Sequence, residues 1–75
     1  MSRSFTLKTE YITLGQFLKV MNVISSGGEA RDFLETHEMI INGQPDQRRG
    51  RKIYPGDVVT LPGGEEVTVH PAAGL

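Results

Sequence analysis

Positive charge is concentrated in one short segment of this chain, the run RRGRK at positions 48 to 52. It holds half of the eight Lys and Arg residues, although the net charge of the whole chain is −1. An arginine guanidinium binds phosphate through paired N–H···O bonds and also stacks on nucleobases. We predict that Arg48, Arg49, Arg51 and Lys52 form a loop, kept flexible by Gly50, that binds a sugar–phosphate chain.

A second candidate for phosphate binding is the start of a predicted second helix, at Ser26-Gly27-Gly28. The first N–H groups of a helix lack partners within it, and the helix dipole favours an anion there. We expect the N–H groups of Gly27, Gly28 and Glu29 to be free, and the glycines to allow close approach. Lys19 and Arg31 extend this basic surface if they project from the same side of the helices.

The residue types argue against an enzyme. The chain has no cysteine, which excludes disulfides, thiolate catalysis and cysteine-based zinc sites. His37 and His70 lack the spacing of metal ligands, so we predict no metal and no cofactor. Asp46 and Asp57 are expected to cap turns or balance the arginines, because nothing places them together for acid–base work. We therefore predict a binding protein and not a catalyst.

Length and composition indicate a small cytoplasmic domain. We treat residues 1–75 as one domain, and a chain of this size buries only about 60% of its unfolded surface. That leaves little room for an enclosed active site. No apolar run approaches the roughly 20 residues needed to cross a bilayer, and no signal-peptide pattern is present. We expect a monomer that does not contact membranes.

Two helices are predicted in the first half of the chain. Apolar residues follow helical spacing from Ile12 to Ile24, and Thr13 with Gln16 makes a capping-box pattern. Ser26 and Glu29 repeat that pattern before a second helix, on which Arg31 and Glu35 stand one turn apart. The Ser/Gly-rich joint between them predicts a helical hairpin.

Short strands and tight turns are predicted after His37. Met39 to Ile41 runs into the turn Asn42-Gly43, and later strands are expected at Val58 to Leu61 and at Val67 to Val69. Phe5 and Leu7 alternate with polar residues and predict an N-terminal strand. The fold class is therefore α+β, a helical hairpin packed on a small, mostly antiparallel sheet.

The ordered series LGQFLK, SSGGEARDFLETHEMIINGQ and YPGDVV resembles the RNA-binding domain first described in the small-subunit ribosomal protein S-four, also called the alpha-L motif. The family's motif has, in this order, an apolar pair, a Ser, an Ala, the end of a strand and a Gly-Asp. In this sequence the apolar pair is Phe17 and Leu18, and the later positions are Ser26, Ala30, Met39 to Gly43 and Gly56-Asp57. The motif core covers about residues 12–61. The stand-alone bacterial versions of the YaaA and YbcJ type are similar over a longer stretch.

This resemblance implies an RNA-binding protein, with structured ribosomal RNA or ribosomal particles as partner and ribosome assembly or translation as context. The basic groups would engage about four to six phosphates, and recognition would rest mainly on RNA shape, with Tyr54 the one aromatic near the loop. The chain departs from the family pattern in three places. Thr13 and Gly27 stand where most members carry Arg, and His37 stands where a Gly usually ends helix two.

Two other functions remain open at this point. The basic loop would also suit a protein-interaction adaptor with an acidic partner. A β-grasp sulfur carrier is the weaker alternative, because such carriers end in Gly-Gly and this sequence ends in Ala73-Gly74-Leu75.

Overall fold

A computed structural model of the chain, which describes residues 2–72, shows two helices and seven short strands. The helices are α1 and α2, and α2 follows directly on a 3-10 turn. In chain order the elements are β1 (Ser2–Thr6), β2 (Ile12–Thr13), α1 (Leu14–Val20), the 3-10 turn (Gly27–Glu29), α2 (Ala30–Thr36), β3 (Met39–Ile41), β4 (Gln44–Asp46), β5 (Lys52–Ile53), β6 (Val58–Thr60) and β7 (Glu66–His70).

The strands make a five-stranded sheet and a separate two-stranded ribbon. The sheet has the order β1-β7-β6-β3-β4, and all neighbours are antiparallel except β1 and β7. The ribbon pairs β2 with β5, with Ile12 opposite Ile53. The predicted α+β class, a helical hairpin on a mostly antiparallel sheet, is confirmed.

Helix α1 begins as predicted but ends earlier. The Thr13 hydroxyl accepts the Gln16 N–H at 3.4 Å, and the Gln16 side chain accepts the Thr13 N–H at 3.1 Å, which completes the capping box. The helical spacing to Ile24 overestimated its length, because Asn22 adopts a left-handed conformation with φ of 62°. Ile24 is nevertheless buried, since the chain turns back and its N–H bonds to the Leu18 carbonyl.

Helix α2 ends without a left-handed residue. His37 has φ of −130°, which is ordinary extended backbone, and its N–H donates to the Phe33 carbonyl at 2.8 Å. Its ring stacks on the Phe33 ring with 4.3 Å between centroids. The absence of the family's Gly at this position is therefore met by a different turn and not by backbone strain.

The core lies between the helical hairpin and the inner face of the sheet. Its fully buried members include Phe17 and Leu18 from α1, Met39 and Ile41 from β3, and Val59 from β6. Full burial of a side chain such as Phe17 contributes about 1.5–3 kcal/mol.

The predicted Asn42-Gly43 turn is confirmed by φ values of 53° and 81°, which fit a type I′ hairpin. Within residues 2–72 there is no helix long and apolar enough to cross a membrane.

Candidate nucleic-acid interface

The basic loop, residues 47–51 between β4 and β5, is attached to the start of α1. The N–H groups of Leu14 and Gly15 donate to the carbonyls of Arg51 and Arg49, at 2.8 and 3.0 Å. These are first-turn donors that have no acceptor within their own helix. The backbone on both sides of Gly50 is thus bonded to α1, an attachment that the sequence did not predict.

Two of the loop arginines bind one carboxylate. Arg48 makes two bonds to Asp46, from Nε at 3.1 Å and from Nη2 at 2.8 Å, and its backbone N–H makes a third at 2.9 Å. Arg51 donates to the same carboxylate at 3.0 Å. The Asp46 side chain is only 8% exposed, whereas that of Arg48 is 75% exposed. The expectation that Asp46 balances the arginines is confirmed.

This cluster changes the acid–base behaviour of its members. The side-chain hydrogen bond from Arg48 holds the pKa of Asp46 well below its usual range, and the bonds from the Arg48 N–H and from Arg51 act in the same direction. Burial opposes them, because it disfavours the charged form. The same contact raises the pKa of Arg48. Asp46 therefore remains ionised at all physiological pH values and offsets part of the loop's positive charge.

Arg49 points the other way and packs on α1. A Cβ built on Gly15 would lie 2.8 Å from Cγ of Arg49, so the absence of a side chain at Gly15 makes room for the aliphatic part of this arginine. No ion pair to Arg49 is found within residues 2–72. Arg49 is thus a loop cation whose charge is not offset by a bound carboxylate in the described part of the chain.

Arg49 joins the other predicted residues at an open depression between the two helices and the loop. Lys19 of α1 and Gly27 of the 3-10 turn line it together with Arg49. Its remaining lining is Thr13, Gly15, Gln16 and Gly50, so no carboxylate of residues 2–72 lines it. We call this surface the Lys19–Arg49 depression.

The start of the second helix is only partly available to a ligand. The Glu29 carboxylate accepts the N–H groups of Ser25 and Ser26, at 2.9 and 3.1 Å, and the Glu29 N–H donates to the Ser26 carbonyl. The prediction of a free Glu29 N–H is therefore wrong. A Cβ on Gly27 would meet nothing within 4 Å, so the surface there is open.

The other predicted residues lie around this depression. Arg31 faces a neighbouring hollow that Arg49 also lines, and it pairs at 3.5 Å with Glu35, one turn further along the helix. Both side chains are exposed, so this pair adds little stability. A third hollow is lined by Arg48, Arg51 and Lys52. Ser26 and Gly28 adjoin Gly27 in the chain but line none of the three hollows.

The sequence reading missed Tyr11. Ile12 and Ile53 are buried on the inner face of the β2–β5 ribbon, so the residues beside them face outward. Tyr11 and Tyr54 accordingly meet on the outer face with 5.8 Å between ring centroids, and Nζ of Lys52 lies 4.9 Å from the Tyr11 ring centroid. The sequence contained a sign of this contact, because Tyr11-Ile12-Thr13 and Lys52-Ile53-Tyr54 each place an Ile between two outward-facing residues and can pair in antiparallel register.

Comparison with known proteins places this architecture in a family. A model of the S4 domain matches residues 5–70, which include every element that borders the three hollows. The chain belongs to the S4 domain family. Among its relatives is the probable ribosome maturation protein RlbA of Bacillus subtilis (strain 168), which is 56% identical over 63 residues. The match covers 84% of this chain and 89% of the relative, so the alignment spans most of both chains.

Proposed function

We propose that this S4 protein is a non-catalytic RNA-binding protein that binds structured ribosomal RNA during ribosome maturation. Family membership supports the RNA-binding role, and the name of the RlbA relative supports the context. The single observation that carries the proposal is the convergence of Lys19, Gly27 and Arg49 on one open surface that no carboxylate of the described part of the chain lines. The protein would act as a cytoplasmic monomer, as expected from its sequence.

The arrangement suits a phosphate backbone. Lys19 supplies a compact cation, and Arg49 supplies a planar fork that binds phosphate oxygens in pairs. The Gly27 side of the depression has no side chain, so that an RNA strand can approach the backbone there. Arg31 lies at the hollow that it shares with Arg49, where Glu35 offsets part of its charge.

The experiment that tests this proposal is a salt series with a structured ribosomal RNA fragment. We expect Lys19→Ala/Arg49→Ala to weaken binding and to make the plot of log affinity against log salt shallower by about 1.4 to 1.8 units, since two phosphate contacts are lost. Arg3→Ala/Lys8→Ala is the matched control, because it also removes one Arg and one Lys. Neither control residue lines the three hollows.

The alternative results are distinct. If wild type does not bind RNA even at low salt but binds an acidic protein, the adaptor function is correct and the RNA proposal is wrong. If both double variants lose affinity equally, RNA contacts another surface. The sulfur-carrier alternative depends on Ala73-Gly74-Leu75, which lie outside the described residues, and absence of C-terminal adenylation would dismiss it.

A further inference from the structure

The tyrosine pair on the β2–β5 ribbon has an exposure that the fold does not require. Tyr11 is 39% exposed and Tyr54 is 46% exposed, although the three Phe residues are buried or half-buried. Aromatic rings bury more apolar area than most side chains, and leaving two of them in contact at the surface forgoes that stabilisation. The pair therefore calls for an explanation in terms of binding.

The two rings have different surroundings. Lys52 lies over the Tyr11 ring, so one face of Tyr11 is already in use by a cation. Tyr54 instead lines the hollow that contains Arg48, Arg51 and Lys52. Tyr54 is thus the ring that a ligand reaches, and Tyr11 supports it from the neighbouring strand.

Tyr54 is also held in place before any ligand arrives. Its backbone N–H donates to Oδ2 of Asp57 at 2.9 Å, and the preceding Ile53 is fully buried. Oδ1 of Asp57 accepts from the Asn42 side chain at 3.0 Å, so both oxygens of this carboxylate are engaged within the protein. The backbone that carries the ring is thus held in place, so this segment loses little conformational entropy on binding.

We propose that this surface binds an unpaired RNA base, which stacks on Tyr54 while its flanking phosphates contact Lys52 and those N–H groups of Arg48 and Arg51 that do not bond to Asp46. The hollow is also lined by Asp57, but both oxygens of that carboxylate accept hydrogen bonds within the protein. The chemistry of the hollow therefore still selects such a ligand, because a flat π surface beside three cationic side chains complements a planar base on an anionic backbone. The inference rests on the proposed function. It adds that the RNA presents a bulged or looped nucleotide, so that recognition extends beyond duplex shape.

The test uses two RNA hairpins with the same stem, one fully paired and one carrying a single bulged 2-aminopurine. We expect wild type to prefer the bulged hairpin by about tenfold, the size of one base–aromatic stack. Tyr54→Leu should lose that preference and leave affinity for the paired hairpin unchanged. Tyr54→Phe, which keeps the ring, should retain both the preference and the change in 2-aminopurine emission on binding.

The outcomes separate this inference from the function on which it rests. If wild type binds both hairpins equally, or if Tyr54→Leu keeps the preference and the emission change, stacking on Tyr54 is wrong while RNA binding stands. If wild type binds neither hairpin at low salt, the proposed function and the stacking site are both overturned. Circular dichroism of the exposed Tyr54 variants verifies that they fold.

Discussion

Arg48 and Arg49 are neighbours in the chain, yet their charges are used differently. Arg48 shares the nearly buried Asp46 carboxylate with Arg51, whereas Arg49 extends over Gly15 into the Lys19–Arg49 depression. The first arrangement shapes the loop, and the second presents a cation to solvent. A count of basic residues therefore overstates the charge that this loop offers to a polyanion.

The largest expected effect comes from removing the charge that holds the loop. Asp46→Asn keeps the shape of the side chain but loses its charge-assisted bonds to Arg48 and Arg51. We expect a loss of about 2 kcal/mol in the free energy of unfolding near neutral pH, measured by urea denaturation. Glu38→Gln is the control, because it removes an exposed carboxylate that forms no ion pair within residues 2–72.

The same variant has a defined pH dependence. The folded-state pKa of Asp46 is depressed, so its contribution is fully present above the unfolded value of about 3.9 and is lost as pH falls through the folded value. The stability difference between wild type and Asp46→Asn should accordingly be constant from about pH 7 to 5 and shrink below about pH 4. A difference that is the same at every pH would show that the carboxylate does not hold the loop.

The next effect sharpens the contrast between the two arginines. Arg49→Ala should weaken binding of structured ribosomal RNA about tenfold, equivalent to about 1.4 kcal/mol. Arg48→Ala should weaken it only about twofold, since that guanidinium is already engaged by Asp46. Fluorescence anisotropy at one fixed salt concentration compares them. Equal losses would mean that RNA displaces Asp46 from Arg48, and the distinction drawn between the two arginines would be wrong.

The smallest effect comes from moving Arg49 without removing it. In Gly15→Ala the new methyl group would crowd Cγ of Arg49 at 2.8 Å and must displace it, because Cβ of Ala30 lies 3.4 Å away on another side. We expect RNA affinity to fall about threefold. Stability should change by less than about 1 kcal/mol, because the better helix propensity of Ala is offset by the cost of displacing Arg49. Unaltered affinity would show that RNA binding does not depend on where Arg49 is placed.

Local rules allowed the sequence to predict the elements that depend on near neighbours. The Thr13–Gln16 capping box and the Asn42-Gly43 turn each involve residues at most three positions apart, and both were predicted correctly. The end of α1 was not predicted correctly. Asn22 adopts a left-handed conformation that ends the helix, although the helical spacing of apolar residues continues beyond it. Whether the predicted contact residues bind RNA stays a prediction.

The site was harder to predict because its geometry depends on distant pairings. The contact of Arg49 with Gly15 and the meeting of Tyr11 with Tyr54 require the β2–β5 register, which joins residues about forty positions apart. That Asp46 balances the arginines was expected, since these residues lie within six positions of each other. Which arginines bond to it was not predicted, because side chains with free rotamers leave several arrangements open.

The parallel pairing of β1 with β7 constrains the order in which the sheet can be completed. Ser2 lies opposite Glu66, so the first strand has no partner until the last one has been synthesised. The β3–β4 hairpin and the β6–β7 pair join close neighbours and can form earlier, at a lower cost in loop-closure entropy. Strand β1 should therefore be the last strand to join the sheet during biosynthesis. Until it pairs with β7, the unpaired edge of β7 can bind a strand of another chain.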